Sequence, residues 1–230
     1  MKKTFFIILY LWAFGFHSLL WLHMYTEGTR IDLAVVTMAL GLLTLWGGLL
    51  AAIQWRLMRH ISIRVRSFRY PVLASFLMMV GLALIAEVVS TTMTNTAPLW
   101  GLSTDEAFIT ASANWWVVVS RHSVIVFLPQ LWMVSWLHQH LSLRAFHWFI
   151  VYGLIGYVNE WLAFGEAASW VSVPFWMIIY GWIVYLPTTI VQSKNTRQSF
   201  RWSHSVLAFI GPLLLSMPWA LFVHWLFLSG

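Results

Sequence analysis

Long apolar runs separated by short polar segments make up most of the chain. Seven runs have the length of a membrane-spanning helix, which is roughly 17–25 residues. These runs predict an all-α fold: a polytopic membrane helix bundle of about seven transmembrane helices, forming a single transmembrane domain over residues 1–230. The runs cover residues 4–24, 32–58, 71–93, 115–137, 145–164, 170–192 and 205–228.

The composition indicates that lipid is the solvent of this chain. Hydrophobic residues make up 60% of its 230 residues and charged residues 9%, whereas about 25% of a soluble domain is charged. The first run follows Met1-Lys2-Lys3, as in a signal peptide, but it is long enough to span and no small-residue cleavage pattern follows. We therefore expect an uncleaved first span. The absence of cysteine excludes disulfides, iron–sulfur clusters and thiolate zinc sites.

The basic residues predict an orientation. Eleven lysines and arginines fall at one set of alternating loops, whereas Arg30 and five acidic residues fall at the other set. The positive-inside rule places the basic loops in the cytoplasm, with the N-terminus in and the C-terminus out. We expect the cytoplasmic or inner membrane of a prokaryote. The basic residues are Lys2, Lys3, Arg56, Arg59, Arg64, Arg66, Arg69, Arg144, Lys194, Arg197 and Arg201, and the acidic ones are Glu27, Asp32, Asp105, Glu106 and Glu166.

Two loops carry local patterns. Residues 61–66 alternate apolar side chains with Ser62, Arg64 and Arg66, which favours a basic loop on anionic membrane lipid over nucleic-acid binding. In the loop 94–114, Ser103 and Glu106 have the spacing of a capping box, which predicts a short helix there. The partners expected from the sequence are therefore membrane lipid and a lipophilic small molecule, with no nucleic acid.

Three charged residues lie inside predicted spans. A charge near the middle of a membrane helix costs roughly 2.5–3.5 kcal/mol or more, so such residues are candidates for function. Counting a 1.5 Å rise per residue, Glu87, Arg121 and Glu160 all fall in the outer half of the membrane. Asn159 and three histidines, His17, His122 and His224, fall in the same half. The inner half has fewer polar side chains, among them Gln130.

The helical faces of spans three and five suggest that these two spans meet. On each span the glutamate shares a face with small or hydroxyl-bearing residues, by the i, i+3, i+4 rule. We expect the two faces to enclose a polar pocket that opens outward. The faces carry Glu87, Ser90 and Thr91 on span three, and Gly153, Gly156 and Glu160 on span five.

The charge balance of this pocket suggests proton chemistry. Arg121 is the one permanent cation for two carboxylates, and we expect it to form an ion pair with one of them. His122 is then the nearest partner for the other, so one glutamate should remain protonated near neutral pH. The alternative is architectural, with Arg121 joining three helices through Glu87 and Glu160 and doing nothing else.

Three classes of function fit these residues. The first is an enzyme of isomerase, cyclase or hydratase type that performs acid–base chemistry on a lipophilic substrate. The second is a small proton-coupled transporter, and the third is a haem- or quinone-binding subunit of a membrane complex. No cofactor is identified, and His138-Gln139-His140 is interpreted as a solvated loop. The expected catalytic residues are Glu87, Arg121, His122 and Glu160, and the expected substrate-binding residues are Asn159, Ser90, Thr91, His17 and His224.

A weak internal repeat accompanies the two glutamates. Each of their spans is followed by a span that contains an aromatic-Leu-Pro sequence, residues 127–129 after Glu87 and residues 185–187 after Glu160. Internal repeats are common in transporters. The repeat predicts that the two helix pairs are arranged alike.

Overall fold

The chain folds into helices joined by loops. The computed structural model describes residues 2–53, 56, 69–165, 169–191 and 201–228, and this part of the chain contains no strand. The predicted all-α fold is confirmed. The helices are α1 (Lys2–Glu27), α2 (Arg30–Ile53), α3 (Pro71–Thr94), α4 in two parts (Trp115–His122 and Val124–His140), α5 (Ala145–Phe164), α6 (Val173–Ile190) and α7 (Trp202–Leu228).

Several of these helices are suited to a membrane. Among the described residues, α1, α2, α3, α6 and α7 are each long and apolar enough to span, and the two parts of α4 together make a sixth candidate. α5 is not among the candidates because it contains His147, Asn159 and Glu160, which lower its mean hydropathy. The architecture fits a multi-pass membrane protein, while seven spans and their orientation stay predictions. Residues 61–66 and Glu166 lie outside the described residues, as do Arg59, Arg64, Arg66, Lys194 and Arg197.

Polar residues at the helix ends fix where the helices begin. Thr29 and Asp32 form a capping box at the start of α2, each side chain bonding to the backbone N–H of the other. Asn114 accepts from the first backbone N–H groups of α4. The predicted helix at Ser103 is wrong: Glu106 does accept from the backbone N–H and hydroxyl of Ser103, both at 2.7 Å, but these bonds close a turn.

Two π-helical segments interrupt the regular helices. One lies in α2 at Leu43–Gly48, and the other in α4 at Val118–His122. The second ends at Ser123, whose φ of −103° and ψ of −80° are not helical, and there the two parts of α4 meet at 55°. A π turn holds more residues than an α turn, so it rotates the side chains that follow it relative to a regular helix.

α6 lies at the centre of the bundle and packs closely on α5. It also packs against α1 and α3. A Cβ added at Gly153 of α5 would lie 2.8 Å from the Met177 Cα of α6, so the two backbones are in contact there. The small face predicted on α5 is therefore confirmed, but the neighbour that approaches it is α6.

The aromatic residues are divided between the core and the outer surface. Trp46, Trp148 and Trp182 are almost fully buried in the core. α1 and α7 carry many exposed large apolar side chains instead, which fits contact with lipid.

Candidate functional site

The first part of the site joins α5 to α6 through a carboxyl group. The Tyr180 hydroxyl donates a hydrogen bond to Glu160 Oε1. Tyr180 fits there because Gly156, one turn before Glu160, has no side chain: a Cβ at Gly156 would collide with the Tyr180 ring. Tyr180 is 9% exposed and Glu160 is half-buried. This pair therefore depends on the same small face that lets the two helices approach.

The second part of the site joins α3 to α4. Ser90 donates to Glu87 Oε2 at 3.0 Å. The Ser123 hydroxyl, which donates to the Val118 carbonyl at 3.3 Å, lies close enough to act on the Glu87 carboxyl. Ser90 is three residues after Glu87 on the same face, as predicted. Ser123 reaches the carboxyl from the break between the two parts of α4, so the π segment and the bend position this contact.

The two carboxyl groups belong to one cluster. The charges of Glu87 and Glu160 are close enough to interact, and both interact with Tyr180. α6 packs against both α3 and α5, so the two glutamates meet beside α6 rather than across a direct α3–α5 contact. We call this group, defined by its members, the carboxyl cluster: Glu87, Ser90, Ser123, Glu160 and Tyr180.

Arg121 does not join this cluster. Its side chain is exposed, and its guanidinium carbon lies 5.7 Å from the centre of the Phe227 ring on α7. In the part of the chain described, no ion pair links Arg121 to Glu87 or Glu160. The expected ion pair is thus not formed.

An amide pair adjoins Glu160. Asn159 of α5 and Gln130 of α4 exchange two hydrogen bonds, of 3.2 and 3.1 Å, and Gln130 also donates to Ser216 of α7 at 2.8 Å. The prediction that Gln130 lies in the other half of the membrane from Asn159 is wrong. Residues counted from Trp115 overstate the depth of Gln130 because α4 bends by 55°.

The remaining predicted site residues lie around the cluster or apart from it. Thr91 is 4% exposed, and its hydroxyl has no hydrogen-bond partner among the described residues. His17 is buried, bonded through Nδ1 to the Ala13 carbonyl and stacked on Phe175. His122 is half-buried beside Arg121, and His224 is exposed on α7. Among the described residues, none of the three histidines contacts either glutamate.

Apolar and aromatic groups surround the polar cluster. The Tyr180 ring makes edge contacts with Phe127 and Tyr152, at centroid distances of 5.8 and 6.5 Å. An apolar groove of about 590 Å³ runs over α4 beside α7. Its walls adjoin the amide pair in sequence, since Pro129 precedes Gln130 and Leu215 precedes Ser216. The groove is lined by Phe76, Leu128, Pro129, Trp132, Leu215, Pro218, Trp219 and Phe222.

Comparison with family models, with curated proteins and with solved structures finds no match to this chain. Within the described ranges, no three His, Asp or Glu side chains are grouped so that they could hold a metal ion.

Sequence reasoning missed three members of the site. Tyr180 is one of 23 tyrosines and phenylalanines, so nothing in its spacing distinguished it from lipid-facing or core aromatics. Ser123 was missed because the ionisable residues before it, Arg121 and His122, were the candidates in this segment. Ser216 gave no signal, because a serine within a membrane helix commonly bonds to its own backbone, and Ser216 does so at 3.0 Å to Leu213.

Proposed function

We propose that this chain is a seven-span membrane protein in which the carboxyl cluster performs acid–base chemistry on a lipophilic substrate. The basic loops would face the cytoplasm. The observation that carries the proposal is the hydrogen bond from the Tyr180 hydroxyl to Glu160, with the charge of Glu87 close enough to act on both groups and no cation among the groups that act on either carboxyl. Ionisable groups within membrane helices are functional candidates by default.

The charge balance supports a stored proton. Two neighbouring carboxylates that share one site without a cation cannot both ionise cheaply, because like charges repel and neither is fully hydrated. The cluster then holds one exchangeable proton near neutral pH. A carboxyl group that keeps its proton at neutral pH is a general acid, and its ionised neighbour is a general base.

The contacts divide the roles. In this proposal Glu160 donates the proton, and the Tyr180 hydroxyl orients the Glu160 carboxyl. Glu87, which accepts a hydrogen bond from Ser90, is the base. Asn159 and Thr91 would contact the polar part of the substrate. Arg121 and His122, together with His17 and His224, are assigned no proton step.

A lipophilic substrate fits the surroundings of the cluster. The apolar groove over α4 has a volume of about 590 Å³, within the range of roughly 300–1,000 Å³ seen for ligand sites. Two of its lining residues, Pro129 and Leu215, directly precede Gln130 and Ser216 in the sequence. We assign this groove to an acyl or isoprenoid chain, which reaches it from the bilayer.

Comparative mass spectrometry of lipid extracts tests the proposal. Cells that express the wild-type chain should contain a changed lipid species, whereas Glu87→Gln and Glu160→Gln should abolish the change and still accumulate in the membrane. Glu27→Gln is the matched control, since Glu27 is exposed at the end of α1. The proposal fails if both cluster variants produce the same lipid change as the wild type.

A proton-coupled transporter is the second candidate, and one observation favours it. Buried polar residues continue beyond the amide pair along α4, at Ser135 and His138. The sequence suggested that the other half of the bundle had too few polar groups for such a path. Proton uptake into liposomes, measured with a pH-sensitive dye, distinguishes the two: a transporter dissipates a gradient, and the enzyme leaves it intact.

A further inference from the structure

A buried histidine lies at the opposite end of the bundle from the loop 95–114. His138 is 1% exposed, in the last turns of α4, so its interpretation as part of a solvated loop is wrong. Its Nε2 lies 2.7 Å from the Val191 carbonyl oxygen, just past the end of α6. A carbonyl only accepts, so Nε2 carries the proton and Nδ1 presents a lone pair.

Three buried polar atoms at this end have no hydrogen-bond partner among the described residues: Ser75 Oγ of α3, His138 Nδ1 of α4 and Trp148 Nε1 of α5. Each of the three residues is at least nine-tenths buried. Leaving a polar atom buried and unbonded costs about 1–3 kcal/mol. Three such atoms at one end of the bundle suggest that a single molecule bonds all of them.

Independent contacts place the three residues at one level. Ser135 of α4 donates to Met79 Sδ of α3 at 3.4 Å. The two helices are antiparallel. One turn closer to the end of the bundle that holds His138, Ser75 takes the place of Met79 on α3, and His138 takes the place of Ser135 on α4. The neighbour of Ser75, Ala74, packs with Val191, whose carbonyl bonds His138.

Trp148 reaches the same place from α5. The centroids of the His138 and Trp148 rings are 6.1 Å apart, and the ring planes are nearly perpendicular at 83°. The indole N–H can only donate, whereas His138 Nδ1 in this tautomer can only accept. The two groups are therefore complementary to a molecule that accepts and donates at once.

We propose that Ser75, His138 and Trp148 hold one buried water molecule. The indole N–H of Trp148 and the hydroxyl of Ser75 donate to the water oxygen, and one water O–H donates to His138 Nδ1. This gives three hydrogen bonds, the number typical of a buried water. The water joins α3, α4 and α5 and keeps His138 neutral in the Nε2–H tautomer. This site is separate from the carboxyl cluster and does not depend on its function.

Proton magnetisation transfer from water to tryptophan indole groups tests this site. The full chain, labelled with ¹⁵N-tryptophan, is reconstituted in lipid nanodiscs. Trp46 is the matched control, because it is equally buried and its indole N–H donates to the Ile179 carbonyl at 2.8 Å. We expect transfer to the Trp148 indole at least several-fold above that at Trp46. Equal transfer at the two indoles would overturn the proposal.

Two variants secure the interpretation. Trp148→Phe assigns the Trp148 signal by its disappearance. If that variant does not accumulate, Ser75→Ala serves instead, since it removes one partner of the water and should shift the Trp148 indole resonance while leaving that of Trp46 in place. An indole spectrum that Ser75→Ala leaves unchanged would contradict the site.

Discussion

Tyr180 of α6 donates a hydrogen bond to the Glu160 carboxyl of α5, at a helix contact where Gly156 leaves room for the tyrosine ring. The same phenol interacts with the charge of Glu87 from α3. One aromatic hydroxyl thus connects three helices to two ionisable groups. The predictions below follow from that arrangement.

Replacement of Tyr180 tests whether its hydroxyl positions Glu160. Tyr180→Phe should lower activity in the lipid-extract assay by about 10-fold to 100-fold, a part of the usual contribution of acid–base groups. It should also lower the free energy of unfolding by about 1–3 kcal/mol, because Glu160 loses a buried partner. Tyr185→Phe, on the same helix, is the control. Full activity of Tyr180→Phe would show that the hydroxyl is not needed.

The close contact of α5 and α6 predicts a strong effect of one methyl group. Gly156→Ala should destabilise the chain by about 1–3 kcal/mol, because its Cβ overlaps the Tyr180 ring. Gly81→Ala is the control, since no atom lies within 4 Å of its added Cβ, and it should be neutral or slightly stabilising. Thermal unfolding in detergent measures both. Equal melting temperatures of Gly156→Ala and Gly81→Ala would show that α5 and α6 accommodate the added methyl group without loss of stability.

The amide pair predicts energetic coupling between α4 and α5. A double-mutant cycle with Gln130→Leu and Asn159→Leu should give an interaction free energy of about 0.6–2 kcal/mol, as for other hydrogen bonds between membrane helices. Gln130 also bonds Ser216, and the cycle removes that contribution from the pair. Unfolding in a denaturing detergent provides the free energies. Strictly additive effects would show that the pair does not form.

Arg121 is predicted to be dispensable for the chemistry. Because its guanidinium lies over Phe227 rather than on a carboxyl group, Arg121→Gln should keep activity within about 3-fold of the wild type, less than the effect of one acid–base group. The lipid-extract assay measures this, with Glu160→Gln run beside it. A loss of activity as large as that of Glu160→Gln would contradict this and support the ion pair expected from the sequence.

The loop between α3 and α4 predicts a pH effect outside the membrane spans. The backbone N–H and the hydroxyl of Ser103 hold the pKa of Glu106 below its usual range. Because this pKa is lower in the folded chain, ionised Glu106 stabilises the turn at pH values above its unfolded pKa of about 4.3. The turn loses that stabilisation as the pH falls through the folded pKa. Ser103→Ala should raise the pKa of Glu106, as measured by carboxyl ¹³C NMR titration. An unchanged pKa would mean that the hydroxyl does not bind the carboxylate.

The sequence predicted the helices well because spanning length and apolar composition are local properties. Helix α5 occupies the predicted residues 145–164, and α3 differs from its prediction by one residue. Faces within one helix were also predictable: the Glu87–Ser90 bond follows from a three-residue spacing, and the small face of Gly153 and Gly156 does contact a neighbour.

The sequence failed where the answer depended on helix irregularity or on the choice of neighbour. Depth along the span placed Arg121 near the glutamates, but depth does not show which face of a helix a side chain occupies, and Arg121 lies over Phe227 of α7. The small face of α5 did not show which helix would occupy it, so Tyr180 was missed. The internal repeat stays a prediction.

The central claim is that the carboxyl cluster stores one proton near neutral pH, and infrared difference spectroscopy of the reconstituted chain tests it most directly. A protonated carboxyl group has a C=O stretching band that a carboxylate lacks. The account predicts such a band at pH 7 in the wild type and in Glu27→Gln, and its loss in Glu160→Gln. A wild-type spectrum without this band, or a band that Glu87→Gln and Glu160→Gln both retain unchanged, would contradict the stored proton.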